Sequence, residues 1–581
     1  MRCPFVDRDC IQRECPGWSN GMCFVENLSL KLDTLTNLVS TLARDLSTKA
    51  KPLEPARKKQ KATIVESEME SKKASSVLEP IRTPMSIGDA ILSIDFGTAF
   101  SKIAVRRRPE EIALPVPLAN VAAKALFEAG LIDETGGTVN EFVEESLVYL
   151  DDESRVFCGT LARNRYVEAS NSGVTRIAIQ NLKQLMIGGG SDLPLHSDYF
   201  PTSDRLNTQG VLATYLAYLF HLAKIHSNSV RRKYSVDIDA TLRNFSMPVW
   251  EDRQYRETVK KMMKGAISKA FCLEQWLQDQ IIEGVRLSEL REALKEAEKY
   301  EGGIEESILG TDVTEPVAAG YNRIVDLKIE PGQPRHMFVI DAGAGSIDFA
   351  FFTIAQPRDR ERGLTIHTSD RQGSVSKGVD VWDKALRSLL HKRVSERSGL
   401  RPDDPLFQIF STKLDANLRR YKELILESPD GYPIDISPAS TSPERISRKE
   451  LEDSPAVRDL LSTIRIEFEK YIRKTTEIVA RDHLDPNRTE FLVTGGGSLM
   501  PSIIDCIRDC VATLGGSYTT KVKGHSVPTV YEGIPNITNV YAMLAVSLGS
   551  TEREYLREKQ LSPIKRQPGT VIIGGYYTKG G

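Results

Sequence analysis

The sequence has no apolar run long enough to span a bilayer, so a membrane-crossing helix is not expected. A secretory leader is not expected either, because Asp7, Arg8 and Asp9 interrupt any apolar core near the start. Neither sign of charge dominates: 77 lysines and arginines face 79 aspartates and glutamates, a net charge of −2. That removes a whole-chain case for nucleic acid or an anionic membrane. The phosphate-binding pattern G-x4-G-K-[ST] is missing, so this is not a P-loop protein. Cysteine is scarce after residue 23, where only Cys158, Cys272, Cys506 and Cys510 occur. Without a leader, a disulfide framework is not expected, and the cytoplasm is the expected compartment.

What is present is ordinary globular material. The chain is 40% hydrophobic and 27% charged. Its 581 residues suit roughly two to four domains. The first 23 residues form a segment of their own, with Cys3, Cys10, Cys15 and Cys23 spaced C-x6-C, C-x4-C and C-x7-C. Four thiolates so close together can converge on one tetrahedral metal, and Pro4, Pro16, Gly17 and Gly21 allow the turns. The spacing fits no zinc knuckle, so zinc and a [4Fe-4S] cluster stay equally open, against a reduced tail without metal. Residues 24–48 place Val25, Leu28, Leu32, Leu35, Val39, Leu42 and Leu46 in a heptad seam. Either this helix pairs two chains as a homodimer or it lies on a neighbouring domain. Residues 49–86 are rich in Lys, Glu, Ser and Pro and read as a disordered linker, with the basic run Arg57–Lys61 a solvated face.

From Ile87 onward strands and helices alternate, which argues an α/β fold. Ile91–Ala99 climbs through apolar residues to Asp95 and a Gly97-Thr98 turn, and Ser101–Val105 returns as a second strand. The same design recurs at Phe338–Asp348, and a third strand ends in Gly495-Gly496-Gly497. A hairpin is expected over Glu144–Cys158, and helices over Leu212–Lys224 and from Asp252 to Phe271. Residues 272–310 read as a helical surface insertion, with Ser288 as N-cap and Gly302-Gly303 as stop. Helices are expected over most of 379–430 and 455–482, with Pro501 opening another. Residues 551–581 are a charged, then Gly-rich tail in which Val571–Ile573 adds at most one strand.

Two strand–Asp-x-Gly–strand units set face to face would offer backbone N–H groups to phosphates, because glycine has no Cβ. Asp95, Asp341 and Asp348 at strand ends suit a hydrated Mg2+, which keeps most of its waters. Thr98 and Ser346 add hydroxyl donors, the Gly495–Gly497 turn lets the chain approach a nucleoside, and Glu315 at a helix start can orient water. These are the parts of phosphoryl transfer to water.

The order of these pieces resembles the heat-shock protein 70 ATPase domain, in the actin and sugar-kinase superfamily. Asp95-Phe-Gly-Thr98 is similar to its first phosphate loop, and Met247-Pro-Val-Trp-Glu-Asp-Arg-Gln254 to its V-P-A-x-F-x-x-x-Q segment. Thr314-Glu-Pro-Val-Ala-Ala319 resembles its N-E-P-x-A-A helix, and Asp341–Asp348 its D-x-G-x-G-[ST]-x-D loop. Gly378–Asp383, Val493–Pro501 and Val546–Gly549 resemble its G-G-x-x-F-D turn, adenosine loop and closing helix. The resemblance runs over about residues 90–550. It implies a two-lobed actin-like ATPase fold of duplicated ribonuclease-H-like subdomains. Lobe I would cover 87–330 and lobe II 331–550.

It further implies ATP and Mg2+ as ligands. Asp95, Asp341 and Asp348 would hold the magnesium waters, and Gly97, Thr98, Gly343, Gly345 and Ser346 would line the phosphates. Glu315 would position water, Gly495, Gly496 and Gly497 would border adenosine, and Lys422 would touch adenine. The family's catalytic lysine aligns with Arg163 in Gly159-Thr-Leu-Ala-Arg163. Arginine binds phosphate through a planar fork, which implies slow hydrolysis. Asn539–Ala545 lacks the family's aspartate. The family's peptide-clamp domain is not expected in the residues after Gly549. The expected function is a nucleotide-driven, chaperone-related switch with an unidentified protein partner. A redox-coupled ATPase and an actin-like filament or scaffold are the alternatives.

The cysteine segment gives a direct test. Metal analysis after anaerobic purification should find zinc, or visible absorbance from an iron–sulfur cluster, lost when Cys10 and Cys15 are replaced by serine. A chain carrying neither metal overturns the expectation.

Overall fold

The computed structural model describes residues 90–551 except 109–110, 120–139, 188–193, 201–204, 230–235, 251, 301–303, 305–307, 325–326, 357–364, 370–371, 429, 479–483, 532 and 535. It also describes two short antiparallel strand pairs, Trp18–Ser19 with Met22–Cys23 and Thr570–Ile573 with Tyr576–Lys579. The first belongs to a separate unit, Met1–Ser76. The heptad segment 24–48, the linker, and Cys3, Cys10 and Cys15 lie outside the described residues. In the C-terminal tail, the expected strand at Val571–Ile573 has its own partner in Tyr576–Lys579.

The chain builds an α/β structure on two mixed sheets. In the first, β1 (Ile91–Phe96) lies at the centre. It pairs antiparallel with β2 (Phe100–Arg106), which pairs antiparallel with β3 (Leu114–Pro115). On its other side β1 runs parallel to β4 (Leu242–Met247), which runs parallel to β5 (Leu309–Thr314). The second sheet repeats this plan. Its centre, β6 (Arg335–Ala342), pairs antiparallel with β7 (Ile347–Ala355), and β7 with β8 (Thr365–Thr368). Parallel neighbours follow on the other side, β9 (Thr489–Thr494) and then β10 (Val522–Gly524). Strand order and direction are therefore the same in both sheets. Each sheet with its helices forms one lobe.

Both central strands are buried on both faces, which is why they read as nearly unbroken apolar runs. In the first lobe, Leu92, Ile94 and Phe96 pack under α3 (Thr208–Ser229) and α4 (Arg253–Leu277). Asp252 caps α4 by accepting from the amides of Gln254 and Tyr255. In the second lobe, Phe338 and Ile340 face α7 (Asp380–Ser398), α8 (Pro405–Glu427), α9 (Pro455–Ile478) and α10 (Pro501–Ala512). Met337 and Val339, on the opposite face, meet α6 (Glu315–Ile324).

The charge-rich stretch after residue 272 differs from its expected form. Helix α4 continues to Leu277, and α5 (Leu287–Ala297) follows with Arg286, not Ser288, at its cap. Leu287, Leu290, Ala293, Leu294 and Ala297 are buried in the first lobe's core. Their spacing of three and four makes a full apolar stripe beneath the charges.

Two helices cross between the lobes. Helix α6 follows the last strand of the first sheet, yet it packs on the second sheet against Ala350 and Phe352. Helix α11 (Tyr541–Gly549), near the end of the second lobe, packs on the first sheet through Tyr541, Leu544 and Leu548 against Ala104 and Phe142. Where the two meet, a Cβ on Gly549 would overlap the Ala318 carbonyl oxygen. No side chain fits there without moving a helix apart. Among the described residues, no helix is long and apolar enough to cross a membrane.

Gly549→Val should therefore cost on the order of 3 kcal/mol, as overpacking at a fixed helix contact does. Gly516→Ala, whose Cβ would meet open space, should leave the melting temperature nearly unchanged.

Candidate functional site

The parallel strands of both sheets end at one cleft, and the turns after β1 and β6 face each other across it. The register explains what each turn carries. On β1, Asp95 stands directly across from Lys102 of β2. At the matching place in the second sheet, Asp341 of β6 stands across from Asp348 of β7. Opposite charges pair in one lobe, and like charges confront each other in the other, an arrangement that destabilises a sheet on its own.

A third source of charge is α6, whose first residue, Glu315, reaches the same place. Asp95, Glu315, Asp341 and Asp348 are 3%, 6%, 5% and 1% exposed. Two ammonium groups answer them. Lys102 Nζ donates to Asp95 Oδ2 at 2.9 Å. Lys183, on the short helix α2 (Leu182–Ile187), donates to Glu315 Oε1. Ser246 Oγ donates to Asp95 Oδ1 at 3.2 Å, and Ser346 Oγ to Asp348 Oδ2 at 2.8 Å.

Four buried carboxylates with two lysines leave an excess of negative charge. Burial, then Glu315 and Asp348, push the Asp341 carboxyl well above its usual range. Burial and Glu315 push Asp348 up to about 7, against the pull of Ser374 and Ser346. Burial and the nearby Asp95 raise Glu315, although Lys183 opposes them. Burial pulls on Lys183 in the neutral direction, but Glu315 and Asp95 outweigh it and hold it charged. A bound cation would relieve this cluster.

The residues fit a hydrated divalent ion. Among the described residues, Asp348 Oδ1 is buried without a hydrogen-bond partner. Among the described residues no three His, Cys, Asp or Glu side chains close on one point tightly enough to ligate an ion directly.

The loops are built around close approaches. A Cβ on Gly345 would lie 2.5 Å from Thr98 Oγ1, so the two turns touch only because residue 345 has no side chain. The first turn is fixed by Ser146, whose Oγ donates to the Gly97 carbonyl at 2.7 Å and whose amide donates to Ala99 O at 3.0 Å. The second rests on the start of α7. There the amides of Val379 and Asp380 donate to the carbonyls of Gly343 and Ala344, each at 3.0 Å. Gly495, with φ +76°, lies against Asp341, and a Cβ on Gly496 would make ordinary contact with Met543 Sδ at 3.9 Å. Gly497 packs on Ala342.

Two more of the residues singled out in the sequence are held by protein partners. Arg163, on α1 (Gly159–Asn171), bonds Glu145 and the Ala416 carbonyl. Lys422, on α8, pairs with Asp383 of α7 at 2.9 Å. The cation that does meet Glu315 is Lys183. The local sequence Asn-Leu-Lys-Gln-Leu carries no glycine or motif that would mark it.

The chain is 36% identical over 116 residues to the Heat shock protein 70 homolog LHS1 of Saccharomyces cerevisiae. That match covers 20% of the chain and 13% of the relative's length, so it supports a relationship to heat-shock protein 70 over a limited stretch. No protein-family model matches the chain.

The carboxylate excess has a measurable sign. Asp348 has a folded pKa of about 7 against an ordinary 3.8. The folded state therefore binds the proton more tightly, and stability falls as pH rises from about 4 through 7. Asp348→Asn should flatten that fall. Well above pH 7 it should stabilise the nucleotide-free protein by on the order of 2 kcal/mol. Thermal melts across the pH range check this, and a variant less stable than wild type at high pH would contradict it.

Proposed function

We propose that this chain is an ATP-binding, slowly hydrolysing switch of the heat-shock-protein-70-like kind, with a two-lobed actin-like ATPase fold. One observation carries the reading. Two lobes of identical strand order bring two Asp-x-Gly turns into contact at Thr98 and Gly345, over a buried cluster with too many carboxylates for its lysines. A nucleotide with its magnesium ion is a ligand that such a cleft suits.

In this reading Asp95, Asp341 and Asp348 would hold a hydrated Mg2+, whose charge would offset that of the phosphates. The chain's own groups do the rest. The amides of the two turns, with Thr98 and Ser346, donate to phosphate oxygens, and their fixed positions spare reorganisation. Glu315 accepts a proton of the attacking water and orients it. The Gly495–Gly497 turn leaves room for the nucleoside beside Met543. Because α6 and α11 each belong to one lobe by sequence and pack on the other, a change in cleft width would be felt by both sheets. That coupling would make nucleotide state readable by a partner.

Binding and turnover test it. Wild type should bind Mg-ATP, and Asp341→Ala should lose most of that binding. Glu315→Gln should bind as wild type does but turn over about a hundredfold more slowly, the scale of a lost general base. Equal, negligible ATP binding by wild type and Asp341→Ala would sink the reading.

A further inference from the structure

The two basic residues that matter most to the cleft have different destinations. Arg163 lies on α1 in the first lobe and is buried. Its Nε donates to Glu145 Oε2 at 2.7 Å, and its Nη1 donates to the carbonyl of Ala416 at 2.8 Å. Ala416 is on α8 in the second lobe, so one guanidinium spans the boundary between the lobes. Arg419, one turn along α8, returns the contact. It sits 3.8 Å from the same Glu145 carboxylate, with its guanidinium carbon 4.5 Å from the centre of the Phe100 ring. Burial opposes the charge on Glu145, but Arg163 and Arg419 together hold its carboxyl below the usual range. Tyr166, on the next turn of α1, adds a 3.5 Å contact from its hydroxyl to Thr412 O.

Lys183 has the opposite surroundings. It is buried, its ammonium bonds Glu315, and Asp95 and Asp348 act on it through space. The adjacent Gln184 reaches across the cleft, where its Nε2 donates to Asp380 Oδ2 at 3.1 Å. Asp380 opens the helix whose amides hold the Gly343-Ala344 turn. Helix α2 is thus tied to the first residues of α6 and α7. An ammonium carries three donors, so the bond to Glu315 leaves Lys183 with capacity for a further oxyanion.

We propose that Lys183 is the cation that contacts the terminal phosphoryl group of bound ATP, and that Arg163 acts as an inter-lobe strut limiting how fast the cleft opens. The inference rests on the ATP reading above and assigns the site's positive charge to a different helix from the one its sequence motif indicates. A compact ammonium suits a crowded ring of carboxylates, and a planar fork suits two partners on separate lobes. Lys183 would distinguish ATP from ADP, since it acts at the end of the phosphate chain. Arg163 would slow the release of both alike.

The experiment measures Kd for ATP, ADP and AMP and the dissociation rate of labelled ADP, all with Mg2+. Lys183→Met should weaken ATP about tenfold more than ADP and leave AMP unchanged, the scale of one charge-assisted phosphate contact. Lys183→Arg keeps the charge but not the compact shape, and should recover only part of the ATP-to-ADP ratio lost in Lys183→Met. Arg163→Ala should speed ADP and ATP release about tenfold each with the ratio intact. A wild-type ratio in Lys183→Met, or a lowered ratio in Arg163→Ala, overturns the inference while the ATP reading stands. Wild type that binds no nucleotide overturns both.

Discussion

The structure depends on the crossing of α6 and α11. Each helix continues from one sheet and is buried on the other, so neither lobe covers its own sheet alone. The contact is backbone against backbone at Ala318 and Gly549. It also fixes the chemistry, because Glu315 is the first residue of α6. The carboxylate enters the cleft at a position set by how closely the two helices approach. A shift of that crossing would move Glu315 relative to Asp95 and Asp341 together, which links global packing to the geometry of a single side chain.

The second consequence is electrostatic. Duplicated sheets place residues at equivalent registers, and the chain fills those registers unequally. The first lobe sets Asp95 against Lys102, and the second sets Asp341 against Asp348. With Glu315 added, the cleft is short of positive charge in a region where water cannot supply it. Such an arrangement costs folding free energy and is retained where a ligand repays it. Raised carboxyl pKa values at Asp341, Asp348 and Glu315 are the local record of that cost.

How much of this was legible in the sequence follows from the range of each signal. The Asp95 and Asp341 turns, the Gly495 turn and the burial of Glu315 at a helix start are local, each written within about ten residues of strand, turn and helix pattern. The α/β class follows from their alternation. The buried stripe Leu287, Leu290, Leu294 was hidden by the charges between its members, and burial is decided by α4 lying opposite. Lys183 was not legible at all. Its partner Glu315 is 132 residues away, and nothing near Leu182–Ile187 marks that helix as part of a site. Arg163 was conspicuous for the opposite reason. Its local pattern is sharp, but its partner Ala416 lies 253 residues off in the other lobe.

That contrast bears on why one residue is arginine and the other lysine. Arg163 must satisfy a carboxylate on one lobe and a carbonyl on the other at once, along divergent directions from a single group. A guanidinium does this with Nε and Nη1 held at fixed angles, and no ammonium reproduces that geometry. Lys183 must enter a space already bounded by Glu315, Asp95 and Asp348, where a planar fork would need more room. In the proposed reading its charge would serve several carboxylates in turn as a ligand enters, which a rotating ammonium with three equivalent donors permits. Side-chain shape fits the two settings: the planar cation bridges Glu145 and the Ala416 carbonyl, and the compact one ends at Glu315.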